Sequence, residues 1–335
     1  MLDREVDFAQ HLKRLEALDI SAESLDLLRS YGQTQGLRIL LRDILGLANL
    51  PAIFAEHSAL AEACLVFVNR LRGSESDLTI IALGKFGGGE IGYGADLDVM
   101  FVGEDVRAAQ HLMVAMAQTT GEGSIWTVDA RLRPDGEKGI LTCSLTAYEA
   151  YYQTRAQLWE AQALTRARPI AGPLQKEFME LAQNVWRIAG QRPDLFAQID
   201  AMLERIRRGR GSASDELDFK TGLGGVIEAE FLVQALQMRT GIWNPQMIGA
   251  LEQLAKAGVM RQPDADKLGE HYKYLRSIGS TLRRWENKSV STLPADKTEQ
   301  EKFAVRAGAK SLDDFAQAYR EARTGVHAIY SKYLL

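Results

Sequence analysis

Two aspartates two residues apart, Asp96 and Asp98, begin a short apolar stretch that ends at Val102. On a β-strand, side chains two apart share a face, so both carboxylates are predicted to point the same way. Such positions lie about 6 to 7 Å apart. At an effective dielectric of about 20, the two charges repel by on the order of 2 to 3 kcal/mol. Mg²⁺, which takes one or two carboxylates together with water and phosphate oxygens, would offset this cost.

A third acid follows in a second stretch of alternating pattern, residues 125–133. On a strand, Asp129, Arg131 and Arg133 would share one face, and the apolar residues between them the other. If this strand pairs with the first, Asp129 completes a three-carboxylate cluster that could hold two metal ions for an in-line displacement at phosphorus. The alternative is an ion pair between Asp129 and one of the two arginines, which would stabilise the sheet.

A glycine-rich segment precedes the first two aspartates, with four glycines in the six positions from Gly84 to Gly89. Glycines this dense after a strand let backbone amides approach phosphate oxygens, although an idle tight turn has the same composition. The stretch from Gly87 to Gly92 matches a dinucleotide fingerprint, but that motif opens a helix, whereas an alternating strand follows here. A Walker A loop is excluded because Lys85 is not followed by Ser or Thr.

The whole chain has 335 residues, with 40 Lys+Arg against 44 Asp+Glu and a net charge of -4. This balance, and the lack of a basic aromatic stripe, argue against nucleic-acid binding. The two cysteines lack His or Cys neighbours at ligand spacing, which argues against a zinc site or a disulfide framework and indicates a reducing compartment. No uninterrupted apolar run approaches the roughly 20 residues that a bilayer requires, so we expect a cytoplasmic protein that does not enter a membrane.

The spacing of apolar residues divides the chain into three segments. Residues 1–75 have a helical period and predict a helical leader. Residues 76–170 contain short β-branched runs that predict a small mixed sheet bearing the acids. Residues 171–335 return to a helical period and predict an α-helical bundle, whose terminal helix begins at the capping box of Ser311 and Asp314. The predicted fold class is therefore α+β.

Gly-Lys followed by Asp-x-Asp on a strand, and then by an acid on a later strand, resembles the nucleotidyltransferase superfamily of DNA polymerase β. Four longer strings are more specific: LGKFGGGEIGYGADLDVMFV, VDARLRPDGEKGILTCSLTAYEAYY, LWEAQALTRARPIAG and DFKTGLGGVIEAEFLVQALQMR. In this order they are similar to one half of the bifunctional glutamine synthetase adenylyltransferase/adenylyl-removing enzyme family. The similarity covers about residues 76 to 240. The residues of these strings are more similar to the half of the family that adds AMP than to the half that removes it.

This resemblance implies a polymerase β-like nucleotidyltransferase core that moves AMP from ATP to a tyrosine of glutamine synthetase and releases pyrophosphate. It implies that three acids are catalytic and bind Mg²⁺, as two ions: Asp96, Asp98 and Asp129. It implies a loop over the nucleotide triphosphate formed by Gly84, Lys85, Gly87 and Gly88. Four arginines are placed where positive charge could meet phosphates or the target protein: Arg131, Arg133, Arg166 and Arg168.

The resemblance also implies glutamine synthetase as a partner and suggests a PII-type nitrogen-signalling protein as a regulator. Glu228 and Glu230 lie in a block that the family has in its helical domain, although acids are equally expected at a helix N-terminus. The family usually has a Ser pair directly before the first aspartate, where this chain has Gly94 and Ala95. No side-chain base is required, and the five histidines are expected to be structural.

Three other functions stay open from the residues alone. The same carboxylates would serve the reverse chemistry, phosphorolytic removal of AMP from adenylylated glutamine synthetase. A nucleotide could instead be transferred to RNA or a small molecule, and the acidic balance argues against RNA. A non-catalytic nucleotide-sensing module is also compatible with the fold, but such a module has little reason to maintain three mutually repelling acids.

Overall fold

The computed structural model describes residues 2, 4–18, 25–71, 77–209, 215–286 and 289–335. These residues form two compact units, 1–185 and 186–335. The predicted boundary between residues 75 and 76 lies outside the described residues, and the leader and the sheet both belong to the first unit. The second predicted boundary, after residue 170, precedes the observed division.

In the described part of the leader, three helices form as the apolar spacing predicts: α1 (Phe8–Glu16), α2 (Asp26–Ile44) and α3 (Leu50–Arg70). Asp7 begins α1 by accepting a hydrogen bond from the backbone N–H of Gln10 at 2.8 Å. Asn49 begins α3 in the same way. Pro51 occupies the first turn of α3, where its missing N–H leaves no helix hydrogen bond unmade.

The second helix turns its arginines inward. Arg38 and Arg42 are buried, and their nitrogens lie 2.5 Å and 2.9 Å from the buried carboxylate of Glu56 on α3. Some apolar side chains of this helix face outward instead, with Leu37 56% and Ile44 60% exposed. The helical period of residues 1–75 therefore predicts the helix but does not show which face is buried. The arginines face inward because they pair with the acid on α3.

Among the described residues, α3 is the one helix that is long and apolar enough to cross a membrane. Most of that apolar stretch is buried inside the protein. The stretch is also interrupted by polar side chains, and Glu56, His57 and Ser58 are themselves buried. These are features of a core helix.

Five short strands form a mixed sheet within the described residues: β1 (Thr79–Ala82), β2 (Leu97–Val102), β3 (Val128–Asp129), β4 (Thr142–Cys143) and β5 (Arg168–Ala171). β2 is antiparallel to β1 and parallel to β3 and β4. β5 lies on the other side of β1 and is antiparallel to it. The predicted α+β class with a small mixed sheet is confirmed.

The second predicted strand is shorter than its alternating pattern indicates. It ends at Asp129, and the following residues turn instead of continuing in the sheet. Pro134 lacks the N–H that a strand would donate, and Arg133 donates to three backbone carbonyl oxygens across the turn. The prediction that Asp129, Arg131 and Arg133 share one face of a strand is therefore wrong.

The leader and the sheet share one hydrophobic core. The described part of the first unit also contains α4 (Gly84–Gly87), α5 (Val106–Ala117), α6 (Leu145–Thr154), α7 (Leu158–Ala163) and the start of α8 (Gln175–Gly190). α3 packs against α1, α2 and α5. Buried side chains from both the leader and the sheet belong to one cluster, which includes Leu15, Ile53, Leu60, Phe86, Leu97 and Val99. The strand that carries the acids is thus built into the same core as the leader.

The second unit is helical. Besides the end of α8, its described residues form α9 (Leu195–Gly209), α10 (Val226–Thr240), α11 (Met247–Lys256), α12 (Gln262–Glu286), α13 (Lys297–Arg306) and α14 (Leu312–Leu334). Ser311 begins α14 as predicted, accepting a hydrogen bond from the backbone N–H of Asp314 at 3.1 Å. α14 packs against α10 and α12 and buries Phe315 and Val326 of its apolar stripe.

Candidate active site

Two of the predicted acids lie side by side where β2 meets β3. The strands are parallel, and Asp98 is opposite Asp129 in the register, one position after Leu97 and Val128. The strand pairing that a three-carboxylate cluster requires is therefore observed. Asp96 directly precedes β2 and is exposed.

The carboxylate of Asp129 is held by Arg131. The guanidinium Nε lies 2.8 Å from Oδ2, Nη2 also donates to Oδ2, and the backbone N–H of Arg131 donates to Oδ1 at 2.8 Å. These hydrogen bonds keep the pKa of Asp129 below its usual range. The side chain of Arg131 is 64% exposed, whereas that of Asp129 is 13% exposed. The ion pair considered as an alternative from the sequence is thus present.

The donor set suits a hard divalent cation, since carboxylate oxygens are ligands that Mg²⁺ prefers. Asp98 and Asp129 are neighbours, and Asp96 lies two residues before Asp98. Within the described ranges, no three Asp, Glu, His or Cys side chains converge as a metal-ligand group, and Arg131 occupies the oxygens of Asp129. The residues fit the cation in kind, and Arg131 competes with a cation for the oxygens of Asp129.

The glycine-rich segment forms a short helical turn. α4 begins directly after Leu83, whose backbone N–H donates to the carbonyl oxygen of Asp98 at 2.8 Å. The N–H groups of residues 87, 88, 89 and 90 donate to the carbonyl oxygens of residues 83, 84, 86 and 85. The amides of Gly87 and Gly88 are therefore engaged inside the turn, which differs from the expectation that they point at a phosphate.

Two glycines of this turn allow close approaches that a side chain would prevent. Gly84 has a φ of 53°, in the left-handed region, and a Cβ there would collide with Oδ2 of Asp98. At Gly87, a Cβ would collide with the carbonyl oxygen of Arg166. Gly84 thus lets the turn lie against the carboxylate, with Lys85 next to it, whereas Gly87 is required for packing.

Two further arginines expected near phosphate have partners within the protein. Arg166 is buried, and its Nη1 lies 2.7 Å from Oε2 of Glu90. Arg168 pairs with Glu62 through both terminal nitrogens, at 3.1 and 2.7 Å, and its Nε donates to the carbonyl oxygen of Gly87 at 3.1 Å. These contacts brace the turn of α4, and phosphate binding by either arginine stays a prediction.

Sequence reasoning missed the leader residues that contact the segment before Asp96. Ser58 on α3 accepts a hydrogen bond from the backbone N–H of Ile91 at 3.1 Å. Asp43 on α2 accepts one from the hydroxyl of Tyr93 at 2.9 Å. A signal for such contacts was present in the sequence, because polar residues interrupt the otherwise apolar stretch of α3 and buried polar groups need partners.

Gly94 and Ala95, which replace the family's Ser pair, suit the local backbone and its packing. Gly94 has a φ of 57°, a conformation that is strained for serine. Ala95 is half-buried and packs against the core cluster that contains β2. The chain therefore makes its turn into Asp96 with a glycine, and without a hydroxyl at either position.

In the second unit, the two acids of the fourth sequence block have protein partners. Glu228 lies in the first turn of α10 with its side chain fully buried. It accepts a hydrogen bond from the backbone N–H of Gly224 at 2.7 Å, and Arg207 and His327 contact the same carboxylate. Glu230 accepts a hydrogen bond from a tyrosine hydroxyl of α12 at 3.0 Å. For Glu228 the structural alternative, an acid at a helix N-terminus, is observed.

Two models of known protein families match this sequence, one in each unit. A family model described as glutamate-ammonia ligase adenylyltransferase matches residues 4–183, which contain all three predicted acids. A model described as GlnD PII-uridylyltransferase matches residues 194–334. The two matches thus cover the sheet with its leader and the helical second unit respectively.

Curated relatives named bifunctional glutamine synthetase adenylyltransferase/adenylyl-removing enzyme are similar over most of the chain. The relative from Streptomyces avermitilis is 33% identical, over 88% of this chain and 32% of its own length. Those from Streptomyces coelicolor and Bordetella bronchiseptica are 32% and 31% identical, over 88% and 83% of this chain and 33% of their own lengths. The chain thus spans about a third of the length of these relatives. Since the first family model covers more than half of the chain, the chain belongs to the glutamate-ammonia ligase adenylyltransferase family.

Proposed function

We propose that this chain transfers AMP from ATP to a tyrosine hydroxyl of glutamine synthetase and releases pyrophosphate. The observation that carries the proposal is that the region matched by the family model contains acids which the fold sets side by side, Asp98 and Asp129. The curated relatives are named for adenylylating glutamine synthetase and for removing the adenylyl group. The names of the relatives support glutamine synthetase as the substrate. The neighbouring acids support metal-dependent nucleotidyl transfer as the reaction.

The reaction exchanges one phosphoester bond for another. The phenolic oxygen of the target tyrosine bonds to the α-phosphorus of ATP, the bond from that phosphorus to pyrophosphate breaks, and the phenolic proton passes to solvent. Tyrosine, with an ordinary pKa of about 10, is a poor nucleophile at neutral pH. Mg²⁺, when bound, supplies positive charge that favours the phenolate and the departing pyrophosphate.

Three carboxylates would hold the cation: Asp96, Asp98 and Asp129. Asp98 and Asp129 are adjacent in the sheet, and Asp96 lies at the exposed start of β2, where a nucleotide can reach it. Because Gly84 brings the α4 turn against Asp98, we assign Lys85 in that turn to the triphosphate. Gly87 and Gly88 contribute by forming the turn.

Of the four arginines, Arg131 is the one we assign to the nucleotide. Its side chain is 64% exposed, against 6% for Arg166 and 29% for Arg168. It can turn from Asp129 to a phosphate without unpacking its surroundings, and that movement would also free the third carboxylate. Arg133 and the two arginines before β5 and within it support the site through backbone and carboxylate contacts.

The proposed partners follow from the same reaction. Glutamine synthetase is the acceptor, and the reaction would take place in the cytoplasm. A PII-type nitrogen-signalling protein is the proposed regulator. The similarity of residues 194–334 to a model named for PII uridylylation supports this assignment.

Intact-mass measurement of glutamine synthetase tests the proposal directly. The chain is incubated with MgATP and unmodified glutamine synthetase, and the target is weighed for an added AMP. We expect a gain with the wild type and none with Asp98→Asn or Asp96→Asn. Asp105→Asn is the matched control, because Asp105 caps α5 away from the site and asparagine also caps helices.

Each other outcome contradicts part of the proposal. A gain that survives Asp98→Asn would show that this carboxylate does not serve the reaction. No gain, together with loss of AMP from adenylylated glutamine synthetase when phosphate is added, would assign the chain to the removal reaction.

A further inference from the structure

The segment between the α4 turn and Asp96 is attached to the leader at consecutive residues. The backbone N–H of Ile91 donates to Ser58 Oγ on α3 at 3.1 Å, and that hydroxyl donates in turn to the carbonyl oxygen of Phe54 at 2.8 Å. A Cβ on Gly92 would lie 2.9 Å from the ring of Phe54, so the backbone rests directly on α3. The contacts at Ile91 and Gly92 fix the path of the chain but end four residues before Asp96.

Tyr93 makes the last of these attachments, and it uses a side chain. Its hydroxyl donates to Oδ2 of Asp43 on α2 at 2.9 Å. Its ring meets that of His57 on α3 edge to face, with centroids 4.7 Å apart and planes at 79°. One tyrosine therefore joins α2 and α3 to the segment before Asp96.

Asp96 itself is exposed, and the restraints on it come from its two sides. On the carboxyl side, β2 begins immediately, and the N–H of Leu97 donates to the carbonyl oxygen of Thr127 at 2.9 Å. On the amino side, Gly94 turns the chain with a φ of 57°. Because three residues span at most about 10 Å, the anchor at Tyr93 limits where Asp96 can lie.

We propose that the leader positions the Asp96 carboxylate for its cation through the hydrogen bond from Tyr93 to Asp43. This inference rests on the proposed function and adds two positioning residues to it, neither of which touches substrate. Groups that orient metal ligands from outside the ligand shell typically contribute about 10-fold to 100-fold in affinity. Because Tyr93 acts through the backbone, we expect about 10-fold, the lower end of that range.

Binding of Mn²⁺, measured by calorimetry with and without ATP, tests the proposal independently of catalysis. Tyr93→Phe removes only the hydroxyl and keeps the ring beside His57, and Asp43→Ala removes the acceptor. We expect each to weaken Mn²⁺ binding about 10-fold and the double variant to be no weaker than either. Asp43→Asn keeps an oxygen that accepts the hydrogen bond and should restore the affinity to within about twofold.

Tyr330→Phe is the matched control. It removes a hydroxyl that donates to Asp200 at 3.0 Å in the second unit, which is the same kind of hydrogen bond at nearly the same distance. We expect this variant to bind Mn²⁺ as the wild type does. The thermal midpoint of each variant is measured alongside, so that a general loss of structure is recognised.

The outcomes separate this inference from the proposed function. If Tyr93→Phe binds Mn²⁺ as tightly as the wild type, or if Tyr330→Phe loses the same affinity, the positioning role is overturned. If the wild type binds Mn²⁺ with ATP but adds no AMP to glutamine synthetase, the proposed function fails while the Mn²⁺ affinities still decide the role of Tyr93. A wild type that binds no Mn²⁺ even with ATP overturns both.

Discussion

At the scale of single residues, the pair of Asp129 and Arg131 shows what spacing can and cannot predict. Both residues could be identified from the alternating pattern, and the parallel register sets Asp129 beside Asp98. The positive guanidinium of Arg131 pairs with Asp129 and reduces the repulsion between the two neighbouring carboxylates. Whether a metal ion, Arg131 or Arg133 would neutralise Asp129 could not be predicted from the sequence. The ion pair with Arg131 depends on the rotamer of an exposed side chain.

His57 gives a prediction at the same scale. Burial lowers the pKa of its imidazole to about 4, and its Nε2 has no hydrogen-bond partner among the described residues. The unfolded chain, in which histidine titrates near about 6.5, binds the proton more tightly than the folded one. The free energy of unfolding should therefore be highest above about pH 6.5 and fall by up to about 3 kcal/mol as the pH drops to about 4.

Urea unfolding across this pH range measures the effect. In His57→Gln the dependence should become shallower, and a remainder should persist because burial also lowers the pKa of His11 to about 4. His111→Gln, at an exposed position, is the control. An unchanged slope in His57→Gln would show that this histidine is not responsible.

At the scale of elements, sequence reasoning placed β2 and the helices better than it placed their partners. The short β-branched run predicts β2 with the acids at its start, and the capping residues of α14 are confirmed. The carboxylate partners of Arg166 and Arg168 could not be predicted, since they lie 76 and 106 residues away in the chain. The buried face of α2 could not be predicted either, because its arginines pair with an acid on another helix.

The α4 turn supports a prediction about packing. In Gly87→Ala, the added methyl group would meet the carbonyl oxygens of Arg166 and Ala82, both of which belong to the backbone and cannot rotate away. We expect a loss of about 3 kcal/mol or more in the free energy of unfolding. Gly36→Ala, in α2 and with open space around the new methyl, should instead stabilise the protein by up to about 1 kcal/mol. Equal stability of the two variants in urea would contradict this account.

At the scale of the whole molecule, each compact unit has its own packing, and the first joins the leader to the sheet. Ile53 on α3 belongs to the same buried cluster as Leu97 and Val99 on β2. The sequence predicted a separate leader because its period changes near residue 76. A shared core could not be predicted from that change, since periodicity reports the form of an element and not the element against which it packs.

Hydrogen exchange tests whether the leader and the sheet open together. Ile53→Ala should cost about 2 to 5 kcal/mol and lower the protection of the β2 amides by the same free energy as that of the α3 amides. Leu37→Ala is the control, because its side chain is 56% exposed. Unchanged protection of β2 in Ile53→Ala would mean that the two parts open separately.

The attachment of residues 91–93 to α2 and α3 bears on how the acid-bearing strand can be moved between related proteins. In a chimera that receives the acid-bearing strand of another family member, the residues before that strand would lose the contacts that they make with the helices of their own protein. Exchange of parts between relatives should therefore succeed when the donor supplies its own upstream helices, and recombination breakpoints between α3 and β1 should be selected against.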